Sequence, residues 1–150
     1  MNNSIRNIQL VAVVIVLIST IIAFGQYSPA QIELKIDGKE MFNGEIMVCA
    51  IANGMYFGGG MKIAPDAKCD DNLLDVVIQK PQAFIPSLID LPKLYSGEHV
   101  KESFVEHFKG QRIDLTLKSS DPVHLEIDGE TIGSLDAQFD IVPKCLNILI

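Results

Sequence analysis

The chain has 150 residues, 48% of them hydrophobic and 21% charged, with seven Pro, eleven Gly and no Trp. That is the length of one globular domain with a sizeable core, and the composition excludes a disordered chain, a collagen-like repeat and a repeat array. Twelve basic against nineteen acidic residues leave a formal net charge of −7, which argues against nucleic acid as a partner and against electrostatic docking on anionic lipid, both being anionic themselves.

From Ile8 to Phe24 only Gln9, Ser19 and Thr20 interrupt an apolar run. About 17 such residues as a helix reach roughly 25 Å, just short of a bilayer's hydrocarbon core. We expect residues 1–26 to form an apolar helix, either a membrane anchor with Arg6 on the cytosolic side or an interdomain helix. A cleaved signal ranks behind both, since Gln26 and Tyr27 stand where small residues are wanted.

Residues 27–150 read as a second unit built of strands. Ile32, Leu34 and Ile36 alternate with Glu33 and Lys35, the period of a half-buried strand, and Asp37-Gly38 is a tight-turn pair. Asn43-Gly44 reads as another turn, and Ile46 to Ala52 as an unbroken apolar strand buried on both faces. A long loop, rich in Gly and Asp, covers Gly54 to Asn72, and a β-branched run resumes from Leu73 to Ile78. Between Pro81 and Gly97 apolar residues recur at helical spacing, with Pro86 and Pro92 expected to break the helix into short pieces. Further strands are expected at Val105–Phe108, Ile113–Leu117, Val123–Ile127, Ala137–Val142 and Leu146–Ile150. The expected fold is mainly β: a two-layered antiparallel β-sandwich with a short helical insertion and the N-terminal apolar helix. Leu34 to Gly38 echoes Leu125 to Gly129, which reads as two Asp-Gly hairpins of a kind common in all-β domains, with a duplicated hairpin as the lesser alternative.

Three groups of residues could carry chemistry. Gly58, Gly59 and Gly60 let the backbone approach a ligand or another domain and aim amides at an anion, although they lack the spacing of a dinucleotide or P-loop motif. Asp66, Asp70, Asp71 and Asp75 crowd one stretch, and their repulsion is relieved by solvent, by lysines or by a hard cation such as Mg²⁺ or Ca²⁺. Glu130 follows the Asp128-Gly129 turn, where a rigid hairpin facing a dry cleft would make it a proton acceptor. Taken singly, each also reads as an ordinary solvated loop or turn. His99, His107 and His124 show no metal-ligand spacing. Cys49, Cys69 and Cys145 are odd in number and widely spaced, and read as buried small hydrophobes in a reducing compartment.

In order along the chain, Asn53-Gly54, Phe57-Gly58-Gly59-Gly60-Met61, Ala64-Pro65-Asp66-Ala67, Asp70-Asp71-Asn72-Leu73-Leu74-Asp75, Gly97-Glu98-His99, Ile127-Asp128-Gly129-Glu130 and Phe139 to Lys144 resemble the C-terminal domain of the diacylglycerol kinase-like lipid kinases. That family includes YegS-type enzymes and sphingosine and ceramide kinases. The resemblance covers roughly Tyr27 to the end. It implies a β-sandwich forming the lipid-acceptor wall of an interdomain cleft, with Gly58, Gly59 and Gly60 shaping that wall. It implies a Mg²⁺ held by the Asp71 side chain and the carbonyls of Lys68 and Leu73, and Glu130 as the general base toward the lipid hydroxyl, with Asp128 as turn former. Asn72 departs from the family's usual Gly, a change that a left-handed backbone tolerates.

The family binds its co-substrate ATP mainly through an N-terminal domain carrying Gly-Gly-Asp-Gly-Thr, a motif absent from these 150 residues. The chain is therefore expected to be the substrate-side half of a lipid kinase, inactive without its nucleotide-binding half. Its expected partners are a lipid acceptor such as diacylglycerol, that missing domain and a membrane surface, with a homo-oligomer left open. The expected location is cytoplasmic, peripheral to or anchored at the cytoplasmic face of the membrane. The rival reading is a membrane-tethered, non-catalytic β-sandwich that binds a lipid or a protein. The related NAD-kinase branch fits the motifs less well.

Overall fold

A computed structural model of the chain describes residues 27–145, together with the single positions Ile15, Ser19, Ile22 and Gly25. The apolar helix expected over residues 1–26 and the strand expected at Leu146–Ile150 lie outside the described residues. No helix among the described residues is long and apolar enough to cross a membrane.

The described chain is mainly β, with antiparallel pairing throughout. Its strands are β1 (Ala30–Ile36), β2 (Lys39–Ile46), β3 (Val48–Ala52), β4 (Leu74–Gln79), β5 (Val105–Gly110), β6 (Arg112–Leu117), β7 (His124–Ile127), β8 (Glu130–Ser134) and β9 (Ala137–Asp140). One α-helix, α1 (Phe84–Ser96), and a 3₁₀ helix (Glu98–Lys101) join β4 to β5. A four-stranded sheet has the order β2-β1-β6-β9, a three-stranded sheet the order β3-β4-β5, and β7-β8 stand as a separate hairpin.

The first two sheets face each other across one core. Ile32, Leu34, Ile36, Ile113 and Leu115 of the larger sheet meet Leu74, Val76 and Ile78 of the smaller one. The fold is therefore sandwich-like, as expected, with the hairpin as a third sheet. β1 shows the anticipated alternation of buried and half-buried residues. The strand covered on both faces is β4, buried from Leu74 to Ile78: its other side meets a second cluster in which Val77 and Val105 pack with Ile63, Ala64 and Ala67 of the glycine-rich loop, with Leu94 of α1 against them. That second layer places the loop against the outer face of the small sheet.

Four local expectations are corrected. Asn43-Gly44 is no turn but lies inside β2, paired with Glu33 and Ile32; the Phe42 ring lies beside Gly44, 3.1 Å from where a Cβ would stand, and so covers a position that otherwise weakens a strand. The apolar run Ile46–Ala52 is not one strand, because Ile46 closes β2 and Val48 opens β3 in the other sheet, leaving Val48 43% exposed. Pro86 and Pro92 do not break α1: Pro86 falls in the first turn, where amides have no helical acceptor, and Pro92 is accommodated within a single helix ended by Gly97, whose N–H reaches Lys93 O at 2.8 Å. β8 was not anticipated at all. The Asp-Gly echo is real as geometry, since Asp37 and Asp128 both adopt φ 51° and each is followed by a positive-φ glycine.

Glu33, on β1, pairs with Lys35 at 2.6 Å and Lys118 at 2.8 Å. Hydrogen bonds from Lys118 and then Lys35 hold its carboxyl down to about 2. A carboxylate depressed in the folded state contributes stability above its unfolded pKa and loses it as pH falls toward the folded value. Circular-dichroism melts of wild type and Glu33→Gln are expected to differ at pH 7 and to converge as pH falls from about 4.5 to about 2. A gap that persists unchanged at pH 2 would show that the carboxylate charge is not its source.

Candidate functional site

Between β3 and β4 the chain makes two successive bends over the outer face of the small sheet. The first is closed by Phe57 and Met61, which exchange backbone hydrogen bonds of 3.0 and 3.2 Å, and its tip is Gly58-Gly59-Gly60, exposed to solvent. Gly59 and Gly60 have φ of 65° and 83°, a region that side chains disfavour. The base of the bend is fixed to the helices: Lys62 N donates to Leu94 O at 2.7 Å, and His99, buried at 5% exposure, holds Ile63 O at 3.0 Å through Nε2. A carbonyl only accepts, so Nε2 carries the proton and His99 is a structural donor.

The second bend carries the acidic residues. Asp71 Oδ1 accepts the Leu73 amide at 3.0 Å across Asn72, which adopts φ 60°. Asparagine thus takes the left-handed position the sequence reading assigned to it. Asp75 is not part of the loop; it sits on β4, its side chain 1% exposed. Its Oδ1 accepts from His107 Nε2 at 2.7 Å and lies 3.1 Å from Lys109 Nζ. Its Oδ2 is buried without a hydrogen-bond partner among the described residues. Lys109 Nζ also donates to Asp66 O at 2.9 Å and stands 4.0 Å from Asp71 Oδ2. Asp66, Lys68, Asp71 and Lys109 line an open cavity of about 570 Å³ together with Met55, Pro65 and Ala67.

Among the described residues no group of three or more His, Cys, Asp or Glu side chains could hold a metal, so a cation held here would need carbonyls as well as a carboxylate. The anticipated set is of that chemical kind. Asp71 and the carbonyls of Lys68 and Leu73 offer oxygen only, which suits Mg²⁺. Asp71 Oδ1 is already fixed by an amide while Oδ2, among the described residues, has a distant ammonium at 4.0 Å.

The other anticipated residues are less tightly gathered. Glu130 opens β8, exposed, on a hairpin paired only within itself. No hydrogen bond or ion pair among the described residues joins it to the glycine tip or to the acidic bend. Cys49 is the one cysteine that fits its expected role: burial pushes its thiol up to about 12. Cys69 and Cys145 are exposed, on a bend and beyond the last strand, where no core exists to enclose them. Sequence reasoning missed His107 and Lys109. The available signal was the two-residue period of β5, which sets Val105, His107 and Lys109 on one face opposite Asp75 and Val77.

Comparison with known proteins places these features in context. The family described as "YegS C-terminal NAD kinase beta sandwich-like domain" matches residues 3–150. A protein named "Probable lipid kinase YegS-like" from Shewanella frigidimarina is 29% identical over 124 residues, which is 83% of this chain and 39% of that protein. A diacylglycerol kinase of Bacillus subtilis is 30% identical over 111 residues, 74% of this chain and 36% of its own length. The crystal structure of a diacylglycerol kinase from Bacillus anthracis superposes with a TM-score of 0.61 at 24% identity, covering 77% of this chain and 39% of that one. The chain thus spans less than half the length of the relatives it matches.

Proposed function

The chain belongs to the YegS C-terminal NAD kinase beta sandwich-like domain family, and from that membership we propose that it is the acceptor-side domain of an ATP-dependent lipid kinase. The reaction is transfer of the γ-phosphoryl group to a hydroxyl of diacylglycerol or a related lipid, at the cytoplasmic face of a membrane. A companion nucleotide-binding domain supplies most of the ATP site, because phosphoryl transfer depends on positioning and charge neutralisation from both sides of the γ-phosphate.

The observation that supports the reading is the acidic bend itself, where Asp71 accepts the Leu73 amide across left-handed Asn72 within the loop that also bears the glycine tip. In this proposal Glu130 accepts the proton of the lipid hydroxyl as its oxygen bonds to the γ-phosphorus and the bond to the ADP oxygen breaks. Gly58, Gly59 and Gly60 keep the cleft wall free of side chains; a Cβ on any of them meets nothing within 4 Å. Asp71, with the Lys68 and Leu73 carbonyls, would hold Mg²⁺, which supplies positive charge and rigidity to the bend.

One feature favours a second reading, a non-catalytic lipid-binding domain. Helix α1 turns Ile85, Leu88, Ile89, Leu91 and Tyr95 outward, Ile85 and Ile89 at 69% exposure, while Asp90 and Lys93 bond to each other beside Glu102. Both readings predict contact with a lipid surface. Joining the chain to the nucleotide-binding part of the B. subtilis relative and following labelled phosphate from ATP into diacylglycerol vesicles separates them. Transfer above that of either part alone supports the kinase reading; vesicle binding with no transfer supports the second.

A further inference from the structure

Lys109 is set opposite Asp75 in the β4–β5 register and reaches over the acidic bend. Its ammonium makes two short contacts, with Asp66 O at 2.9 Å and Asp75 Oδ1 at 3.1 Å, and a long one with Asp71 Oδ2 at 4.0 Å. The short contacts anchor it to groups outside the anticipated ligand set, so a cation arriving at Asp71 does not need to expel it. Its charge stays beside the metal instead.

We propose that Lys109 is a positioning residue for the acidic bend that also limits how tightly the bend holds a divalent cation, by neutralising in advance part of the negative charge the cation would otherwise meet. This rests on the magnesium reading above and goes beyond it: the same ammonium that ties Asp66 to Asp75 would also weaken the pull of Asp71 on a divalent cation. Oxygen-ligand sites tune affinity through the charge they gather, and two unit charges a few ångströms apart interact strongly even near a surface. The Lys109 side chain is 31% exposed, so water screens much of that interaction, and removing the charge is expected to tighten binding about tenfold rather than by the far larger unscreened factor.

The two roles predict changes of opposite sign, which a purely structural strap does not. Mn²⁺ binding to the full chain, read from loss of the free-ion electron paramagnetic resonance signal and displaced by Mg²⁺, is compared with the thermal midpoint for each variant. Lys109→Gln keeps a donor for the Asp66 carbonyl and is expected to melt lower yet bind Mn²⁺ about tenfold more tightly. Lys109→Met, of nearly the same reach, supplies a second charge-free side chain, and Lys109→Arg is expected to bind as wild type does. Weaker or unchanged binding in the folded Gln and Met variants would overturn the proposal while leaving the magnesium site standing. If Asp71→Asn binds Mn²⁺ as well as wild type does, the magnesium site itself is wrong and the proposal goes with it.

Discussion

Replacing Glu130 with glutamine is expected to cut lipid phosphorylation by the joined kinase by about 10²- to 10⁴-fold, the usual contribution of a positioned base, with no change in the melting temperature of the chain. The separation of the two effects follows from where the residue stands. Glu130 opens β8 directly after the turn formed by Asp128 at φ 51° and Gly129 at φ 91°, and its side chain is exposed. Glutamine has the same shape and propensity, and with no ion pair or side-chain hydrogen bond to lose among the described residues, the fold has nothing to register. What is lost is the ability to take a proton. A carboxylate becomes an effective base when water is excluded around it, and in the proposed kinase a second domain closing over the hairpin would do that. Asp128→Asn is the matched control, because Asn also tolerates the left-handed turn and is expected to leave transfer within a few-fold of wild type. Labelled-phosphate assays on the joined protein, beside melts of the separate chain, test both halves. Full activity in Glu130→Gln would remove this residue from the chemistry.

How much of this was legible in the residues depends on whether the deciding contact is local. β1 could be read because one face meets the core and the other does not, so burial writes a two-residue period into the sequence. The Asp-Gly turns could be read because their backbone conformation is set by the two residues themselves. β2 could not: Asn43-Gly44 has the composition of a turn, and only the Phe42 ring beside Gly44 explains why the strand runs on. β8, with every residue exposed, carries no burial pattern to detect. In the acidic bend the sequence offered Asp71, Asn72 and the crowd of carboxylates. It did not offer the partners, since His107 and Lys109 lie more than thirty residues from Asp75 and meet it only through strand register. The reading of Asp75 as one more solvated carboxylate failed for that reason, although its place in a strand was expected: its neutralising charges come from a strand formed much later in the chain.

Gly110→Ala is expected to be the most damaging of the glycine-to-alanine changes, lowering stability by about 3 kcal/mol and the melting temperature by roughly 10 °C. Nothing in the local sequence Lys109-Gly110-Gln111 announces this. Gly110 ends β5 in the small sheet, and after one residue Arg112 opens β6 in the large one, so the chain crosses between layers at this point. A Cβ there would overlap the Cγ2 methyl of Ile36, a buried β-branched side chain with little freedom to turn away. It would also stand 3.0 Å from Asp37 Oδ2. Asp37 is what fastens the corner: its Oδ1 accepts the Gln111 amide at 3.1 Å and the Arg112 amide at 2.9 Å, and its own N–H donates to Arg112 O at 2.9 Å. Alanine therefore overpacks the end of β1 and strains three hydrogen bonds together, each worth about 1 kcal/mol. The comparison that isolates the effect is Gly58→Ala, where the added carbon meets nothing within 4 Å and the midpoint is expected to stay within about 1 °C of wild type. Differential scanning calorimetry of the two variants distinguishes a steric demand at the layer crossing from a general intolerance of alanine at glycine positions. Equal midpoints for Gly110→Ala and wild type would mean that the two sheets are not pinned together at this corner.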